Sequence, residues 1–237
     1  MNYVVSDIHG CYEKYSKLLE TIKLGEKDTL YVLGDVIDRG EDGFRILLDM
    51  ASRPNVIGLM GNHEAMAIDA LPGILRFIAK GNMDVMTEQE KRAAELWFYN
   101  GGELSLADLL WMEEEQMQVV WAYMRSMPLY REIEVGEKKF LLLHGGLKDF
   151  SPSRPLHAYR QDELLWCRPS HDTIYYADRC VIVGHTPTQL LYADAGETIS
   201  QGRIFRNDNF IDVDCGCVYE GGRLGCLCLD TMEEIYI

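Results

Sequence analysis

Five short aliphatic runs in this chain are each followed at once by polar residues and glycine. The runs occupy residues 3–5, 30–33, 56–60, 140–143 and 180–183. Short aliphatic runs that end at glycine are typical of buried strands. Ligands of α/β sheets gather beyond the carboxyl ends of the strands, so the polar residues that follow these runs are expected to meet there. No other feature of the sequence constrains the fold as much.

Helical patterns separate the first three runs. Apolar residues recur at helical spacing over residues 12–22 and again over 44–51. Alternation of strand and helix predicts a layered α/β domain. Residues 65–127 are rich in Met and Glu, have helical spacing and break at residues 100–102. We therefore expect a mostly helical excursion over 65–127, packed on the α/β core.

The last fifty residues have the pattern of strands and turns. Asn207, Asp208 and Asn209 form one turn signal, and Gly221 and Gly222 belong to another. Such residues favour tight connections between strands. We expect the strands beyond residue 187 to close a second sheet.

The composition is that of a globular protein with a strongly acidic surface. The chain has 237 residues, 47% of them hydrophobic, and a formal net charge of −15 at pH 7. Because the polar motifs run from residue 7 to residue 185 and must meet, we expect one domain over 1–237. No block of Lys or Arg offers the clustered charge with which proteins bind nucleic acid. A phosphorylated substrate would need a strong local positive charge, such as bound metal ions.

The cysteines and the N-terminal sequence favour a cytoplasmic protein with reduced thiols. Met1 is followed almost directly by the first strand, which predicts no signal peptide, and no apolar run is long enough to span a bilayer. Cys215 and Cys217, like Cys226 and Cys228, lie closer together than zinc-binding pairs usually do. Since residues i and i+2 of a strand share a face, we expect these cysteines to pack within strands.

Four of the six histidines follow the predicted strands and lie within two residues of a glycine, with carboxylates and an amide at the same strand ends. The set comprises His9, His63, His144, His185, Asp7, Asp35, Asp38 and Asn62. Strand packing does not require an imidazole at a strand end, which favours a ligand role for these residues. Carboxylate, amide and imidazole donors together suit manganese, iron or zinc. So many donors predict a pair of metals that share one carboxylate.

The motifs that contain these residues follow one another in a defined order. They are Asp7-Ile-His9-Gly10, Gly34-Asp35-Val-Ile-Asp38-Arg39-Gly40, Gly61-Asn62-His63-Glu64, His144-Gly145 and Gly184-His185. In order and spacing they resemble the phosphoprotein phosphatase family of calcineurin-like metallophosphoesterases, in its short bacterial and bacteriophage form. The resemblance extends to Trp97-Phe-Tyr-Asn100-Gly101-Gly102 and Ile211-Asp-Val-Asp-Cys-Gly216. It implies a layered α/β/β/α sandwich of two mixed sheets flanked by helices, with a mostly helical insertion.

The same resemblance implies two bound divalent ions. Asp7 and His9 would hold the first ion, Asn62, His144 and His185 would hold the second, and Asp35 would bridge both. Manganese is expected to serve in vitro, and iron and zinc are alternatives in the cell. A water that bridges the two ions would attack the phosphate ester directly as hydroxide. On this mechanism Ser6 is not a nucleophile.

The remaining roles also follow from the resemblance. His63 resembles the family's general acid, with Asp38 as its carboxylate partner, and Arg39 would contact the phosphoryl oxygens. A second phosphate-binding arginine is expected, and Arg168 in the segment Leu164-Leu-Trp-Cys-Arg168 matches its position. We expect Glu64 to orient a neighbour or the turn. The predicted activity is that of a serine/threonine or dual-specificity protein phosphatase.

Two other functions compete with this one. A symmetrical diadenosine tetraphosphate hydrolase of the same superfamily is suggested by His9-Gly-Cys-Tyr12 and Cys215-Gly-Cys217. Those hydrolases often lack an acidic residue where this chain has Asp38 and tend to carry Asp in place of Glu64. A non-catalytic metal-binding scaffold is the second alternative, but such proteins typically lose a ligand or the general acid. Substrate choice would depend on the walls around the site, which we expect from residues 65–127 and 147–180.

Overall fold

Two five-stranded mixed sheets pack face to face in the computed structural model, which describes residues 1–237. The strands are β1 Asn2–Val5, β2 Thr29–Val32, β3 Val56–Gly58, β4 Tyr130–Val135, β5 Lys138–Leu143, β6 Cys180–Val183, β7 Phe205–Asn207, β8 Phe210–Asp212, β9 Gly225–Cys228 and β10 Glu234–Tyr236. The first sheet has the order β10-β9-β1-β2-β3 and the second the order β4-β5-β6-β8-β7. In each sheet three parallel strands lie together and the others pair antiparallel.

Helices cover the outer face of each sheet, as the layered α/β/β/α expectation requires. They are α1 Tyr12–Ile22, α2 Gly43–Ser52, α3 Asn62–Lys80, α4 Glu88–Tyr99, α5 Gly102–Leu110, α6 Glu114–Ser126, α7 Gln161–Leu165 and α8 Thr188–Asp194. The excursion is helical and breaks between α4 and α5 as predicted, although its first helix begins at Asn62 rather than near residue 65. No helix combines the length and the apolarity needed to traverse a bilayer.

Alternation along the strands divides the interior into three cores. Tyr3 and Val5 of β1 face a core of 33 buried residues beneath α1–α6, whereas Val4 joins a core of 13 residues between the two sheets. In β5, Phe140 faces the core between the sheets and Leu141 faces a third core of 11 residues beneath α7 and α8. Both faces of each central strand are therefore buried, which explains why these strands read as continuous aliphatic runs.

The last two strands do not join the sheet that the sequence predicts. β9 and β10 extend the first sheet, with β9 antiparallel to β1, whereas β7 and β8 belong to the second. The expectation that all strands beyond residue 187 close a second sheet was therefore wrong. Both faces of β9 are buried, so its apolar pattern is compatible with either sheet. Only the pairing with β1 determines that β9 belongs to the first sheet.

The four cysteines near the C-terminus divide in the same way. Cys226 and Cys228 lie in β9 and pack on the core beneath the helices, as expected for strand residues. Cys215 and Cys217 instead follow β8, and they enter different cores. All seven cysteines are free, and the groups of potential metal-binding atoms contain none of them.

Leu18→Ala tests the packing of α1 on the first sheet. Leu18 is fully buried in the largest core, so removal of its side chain is expected to lower the free energy of unfolding by about 2–5 kcal/mol. Urea unfolding of the protein in EDTA measures this change. The matched control is exposed Lys17→Ala, for which we expect a change within about 0.5 kcal/mol. Equal effects of the two substitutions would contradict the packing described here.

Candidate active site

The polar residues that follow β1, β2, β3, β5 and β6 meet at one edge of the sandwich. Two groups of donor atoms form there, and within each group the atoms lie within 4.8 Å of one another. One group comprises His9, Asp35 and His63, and the other comprises Asp35, His144 and His185. Asp35 belongs to both groups, which is the position expected of a shared carboxylate.

Asp7 joins the two sheets at this edge. Its Oδ2 atom accepts hydrogen bonds from the Ser6 hydroxyl at 2.6 Å and from the His185 backbone N–H at 2.8 Å. Its Oδ1 atom lies 3.8 Å from His9 Nε2, so that oxygen faces the donor groups. The approach requires glycine at residue 184, because a Cβ there would lie 2.4 Å from Asp7 Oδ2. Ser6 thus orients a carboxylate, in line with the expectation that it is not a nucleophile.

The amide of Asn62 lies beside the second group. Its Oδ1 atom is 2.8 Å from His144 Nε2, which in turn lies 3.3 Å from Asp35 Oδ1. His144 Nδ1 is 2.7 Å from the Leu33 carbonyl oxygen and is placed to donate to it. This contact fixes the ring, so that Nε2 points at the donor groups. All six residues proposed as ligands therefore gather in one buried place.

Backbone strain is concentrated at this edge. Ten non-glycine residues have positive φ, and six of them belong to the predicted site. The six are Asp7, His9, Asp35, Asp38, Arg39 and His185. Left-handed conformations cost free energy in residues other than glycine and persist only where surrounding contacts hold them. The conformation of the loops therefore directs these side chains toward the donor groups and costs the fold some stability.

The donor set fits divalent metal ions. His185 Nε2 is buried and has no hydrogen-bond partner. His9 Nδ1 lies 2.9 Å from the Ile37 carbonyl oxygen, so the Nε2 atom of His9 is the one directed at the donor groups. Burial lowers the pKa of His9 to about 3 and that of His185 to about 2, so both rings are neutral at pH 7. A neutral imidazole with an exposed lone pair is the form that binds metal.

Asp35 and His144 lie in contact within this set, and each shifts the pKa of the other. Burial alone raises the pKa of Asp35, but the neighbouring imidazoles of His144 and His63 outweigh it and hold that pKa well below its ordinary value. Burial lowers the pKa of His144, yet the charge of Asp35 outweighs this and raises it to about 9. The Asp35 carboxylate is therefore ionised, which is the form in which a carboxylate binds metal.

A buried pair of side chains lies next to the first group. His63 Nδ1 is 2.6 Å from Asp38 Oδ2, and neither side chain has measurable exposure. Burial lowers the pKa of His63, but the carboxylates of Asp35 and Asp38 outweigh it and raise that pKa. The Arg39 guanidinium lies 2.8 Å from His9 Nε2 and 3.0 Å from His63 Nε2. The predicted acid, its carboxylate partner and one predicted phosphate-binding arginine are thus in contact.

Arg168 lies on the side of the second group. Its Nη1 atom donates to the His185 carbonyl oxygen at 2.8 Å and lies 3.5 Å from the Thr186 hydroxyl. It also lines an open cleft of about 590 Å³ together with Lys148 and Trp166. The predicted arginine therefore reaches the site, while the other two histidines, His157 and His171, lie outside it at the surface.

Glu64 organises the loops that carry the ligands. Its Oε2 accepts hydrogen bonds from the backbone N–H groups of Asp35 at 2.9 Å and Gly61 at 3.0 Å, and its Oε1 accepts from Val36 at 2.8 Å and Ile37 at 3.3 Å. This agrees with the expectation that it orients a neighbour and the turn. Burial raises the pKa of Glu64 to about 7, and the backbone hydrogen bonds oppose that rise.

Sequence reasoning assigned no role to four other residues of the site. The Trp97 indole N–H and the Ser105 hydroxyl both contact Asp38, and the carboxyl groups of Asp212 and Asp214 are buried near Asp7. Burial raises the pKa of both Asp212 and Asp214 well above the ordinary range. Trp97, Asp212 and Asp214 lie in motifs that carry the family resemblance, whereas nothing in the sequence marks Ser105.

Comparison with known proteins gives three main findings. The profile of the Metallophos family, described as calcineurin-like phosphoesterase, matches residues 3–213. Serine/threonine-protein phosphatase 2 of Salmonella typhimurium is 28% identical over 171 residues, which cover 70% of this chain and 67% of that protein. The symmetrical bis(5'-nucleosyl)-tetraphosphatase of Erwinia tasmaniensis is 28% identical over 147 residues, which cover 61% of this chain and 44% of that protein. The chain thus spans less than half the length of that hydrolase.

A solved structure shares the fold. A protein provisionally assigned as a diadenosine tetraphosphatase superposes with a TM-score of 0.66 at 19% identity. The superposition covers 100% of this chain and 92% of that one. At this level of identity the likeness shows a common fold and leaves the substrate open.

Glu64→Gln tests the role of this carboxylate in shaping the loops. The amide NH₂ of glutamine would face two backbone N–H donors in place of an acceptor, so we expect the free energy of unfolding to fall by about 2–4 kcal/mol. Urea unfolding in EDTA measures the stability, and calorimetric titration with Mn²⁺ should show weaker binding because Asp35 loses its support. Exposed Glu137→Gln is the control. Unchanged stability and Mn²⁺ affinity in Glu64→Gln would contradict this role.

Proposed function

We propose that this chain, which belongs to the calcineurin-like phosphoesterase family, hydrolyses phosphate monoesters of proteins. Phosphoserine and phosphothreonine are the proposed substrates, and phosphotyrosine is a further one. The observation that carries the proposal is the buried contact of 2.6 Å between His63 and Asp38, beside the donor groups that share Asp35. A phosphomonoester with an alkoxide leaving group requires a proton donor, and this pair is built to supply one.

The proposed metal ligands are those that the sequence predicts. Asp7, His9, Asp35, Asn62, His144 and His185 would hold two divalent ions, with manganese, iron and zinc all suited to these donors. His63 also belongs to the first donor group, but the proposal assigns it to proton donation. When bound, the two ions would lower the pKa of water and offset the negative charge of the phosphoryl group. The local positive charge would also overcome the repulsion that a net charge of −15 exerts on a phosphorylated substrate.

The chain's own residues would bind the phosphoryl group and protonate the leaving oxygen. Arg39 and Arg168 lie on different sides of the donor groups, and their planar guanidinium groups suit phosphoryl oxygens. His63 would donate a proton from Nε2 to the departing oxygen. Asp38, which accepts the Nδ1–H of the same ring, would keep that ring oriented and favour its protonated form.

Arg39 must change partners for this chemistry to proceed. Its guanidinium lies 2.8 Å from His9 Nε2, which is the atom proposed to bind the first metal, and 3.0 Å from His63 Nε2, which is the atom proposed to donate the proton. One lone pair cannot serve both Arg39 and a metal. The proposal therefore requires the Arg39 side chain to leave His9 on metal binding and to leave His63 when Nε2 carries the proton, because two N–H donors cannot pair. The half-buried guanidinium then becomes free for a phosphoryl oxygen.

The proposal extends to the whole chain and its setting. Residues 1–237 would act as one catalytic domain with the helical excursion inside it. The cytoplasm is the proposed compartment, since seven free thiols suit a reducing environment. The partner would be a phosphorylated protein or a small phosphoester rather than nucleic acid, because the charge of the chain is strongly negative.

Hydrolysis of diadenosine tetraphosphate is the second candidate. The similarity to the hydrolase of Erwinia tasmaniensis favours it, although that match covers only 44% of the relative. The acidic residue at Asp38, the identity of Glu64 and the longer match to the Salmonella typhimurium phosphatase support the protein phosphatase instead. The contact between His63 and Asp38 beside the donor groups counts against the scaffold alternative, because a scaffold has no need of an acid there.

The substrate class is tested by Mn²⁺-dependent hydrolysis of three compounds. They are a phosphothreonine peptide, a phosphotyrosine peptide and diadenosine tetraphosphate. We expect turnover of the phosphothreonine peptide, with loss of turnover in Asp35→Asn because the shared ligand loses its charge. Turnover of the dinucleotide alone would replace the proposed substrate and keep the metal centre. No turnover of any compound by the metal-loaded protein would favour the scaffold alternative.

His63→Asn tests the general acid. Because His63 is proposed to donate a proton and not to bind metal, the variant should retain both ions while kcat for the phosphothreonine peptide falls by about 10²–10⁴-fold. Elemental analysis measures the metal content and steady-state kinetics measure the rate. His157→Asn, at an exposed position outside the site, should match the unaltered protein. Normal turnover by a fully metallated His63→Asn variant would remove His63 from the mechanism.

A further inference from the structure

The turn that carries Asp38 and Arg39 is held in an unfavourable conformation. Both residues are left-handed, with φ values of 70° and 66°. Two successive non-glycine residues in this region cost free energy, so other contacts must hold them there. Since Asp38 contacts the proposed acid and Arg39 the proposed phosphate site, the source of those contacts bears directly on catalysis.

The contacts come from the helical excursion. The Trp97 indole N–H on α4 donates to both carboxylate oxygens of Asp38, at 3.0 and 2.8 Å. The Ser105 hydroxyl on α5 accepts the Asp38 backbone N–H at 2.7 Å. The Gly101 carbonyl, between the two helices, accepts the Arg39 backbone N–H at 3.1 Å. Side chain and backbone of the turn are thus both bound by one short stretch of the excursion.

Trp97 itself has almost no freedom to move. It is 0% exposed, stacks on Phe98 at a centroid distance of 5.6 Å and lies against Gly102. A Cβ at residue 102 would lie only 2.6 Å from the indole ring, so the close approach depends on that glycine. A buried indole with its N–H satisfied by a carboxylate is a rigid donor, since its ring cannot turn away without losing both packing and hydrogen bonds.

We propose that Trp97 is a positioning residue for the proposed general acid. Its N–H bridges both oxygens of Asp38 and fixes the plane of the carboxylate, so that Oδ2 stays directed at His63 Nδ1. The Ser105 hydroxyl supports the same residue, because it accepts the backbone N–H of Asp38. The helical excursion therefore contributes to proton donation without touching the substrate. This inference rests on the proposed phosphomonoesterase function.

The dependence of rate on the leaving group distinguishes positioning of an acid from general structural support. Phenyl phosphate needs a proton on its departing oxygen, whereas 2,4-dinitrophenyl phosphate expels a stable phenolate and needs little protonation. A defect confined to the acid slows the first substrate selectively. A defect in folding, metal binding or phosphate binding slows both substrates alike.

The experiment compares Trp97→Phe with the unaltered Mn²⁺-loaded protein on both substrates. Phenylalanine keeps an aromatic ring in the core and removes the N–H donor. We expect kcat for phenyl phosphate to fall about tenfold, which is part of the roughly 10²–10⁴-fold that a positioned acid supplies. For 2,4-dinitrophenyl phosphate we expect kcat to stay within about twofold, with KM for both substrates likewise unchanged. Trp121→Phe on α6 removes an indole from the same excursion away from Asp38 and should match the unaltered protein.

Ser105→Ala provides a second variant in case Trp97→Phe does not fold. It removes the acceptor of the Asp38 N–H with a small change of volume and should give the same selective loss on phenyl phosphate. Equal loss on both substrates in a folded, metal-loaded variant would overturn the positioning role. If the unaltered protein hydrolyses neither substrate, the proposed function itself fails. If the unaltered protein hydrolyses both and a variant loses both equally, only the positioning role fails, so the two failures are distinguishable.

Discussion

The charge of the buried Asp35 carboxylate must be compensated by neighbouring groups, and the other side chains of the site supply this compensation. His144 Nε2 lies 3.3 Å from Oδ1, and the Nε2 atoms of His9 and His63 lie 3.8 and 3.7 Å from Oδ2. Removal of a charged carboxylate from water is expensive unless compensating groups surround it. Here imidazoles from both sheets and the His63 backbone N–H, 3.1 Å from Oδ1, supply that compensation. The positions of His9, His63 and His144 around the carboxylate meet this need.

The loops that bring these side chains together contain strained, left-handed residues. Contacts from other parts of the chain hold the loops in this conformation. Six site residues adopt left-handed backbone, and two parts of the fold fix the loop that carries three of them. Glu64 binds the backbone on the Asp35 side of that loop. Trp97, Gly101 and Ser105 bind the Asp38 side. The helical excursion therefore helps to hold the turn at Asp38 and Arg39 in its conformation and is not merely an appendage to the sandwich.

The sequence predicted the location of the site because local rules determine it. Aliphatic runs that end at glycine define the parallel strands, and the residues after them, such as Asp7 and His144, must gather at one edge. The break between α4 and α5 was predicted for the same reason, since glycine signals it locally. The roles of His63, Asp38 and Arg168 came from the family resemblance and not from composition or spacing.

Features that depend on how elements dock could not be predicted. The sequence does not tell which sheet β9 joins, because both of its faces are buried and an antiparallel strand can be added at the edge of either sheet. Nor does it place Ser105 beside Asp38, since that contact depends on the packing of α5 on the loop after β2. Asp212 and Asp214 lie in a motif of the family resemblance, but their position near Asp7 depends on the pairing of β8 with β6.

The donor groups draw on both layers of the sandwich, and this has a consequence for the lifetime of the protein. Asp7, His9, Asp35 and Asn62 follow strands of the first sheet, whereas His144 and His185 follow strands of the second. Away from this edge the sheets are joined by a core of 13 buried residues. Ions held by donors from both layers would cross-link the two sheets and stabilise the folded protein, because a ligand that binds only the folded state stabilises it. A cell short of the metal would then lose the enzyme to proteolysis as well as its activity, so metal supply would set the abundance of the protein.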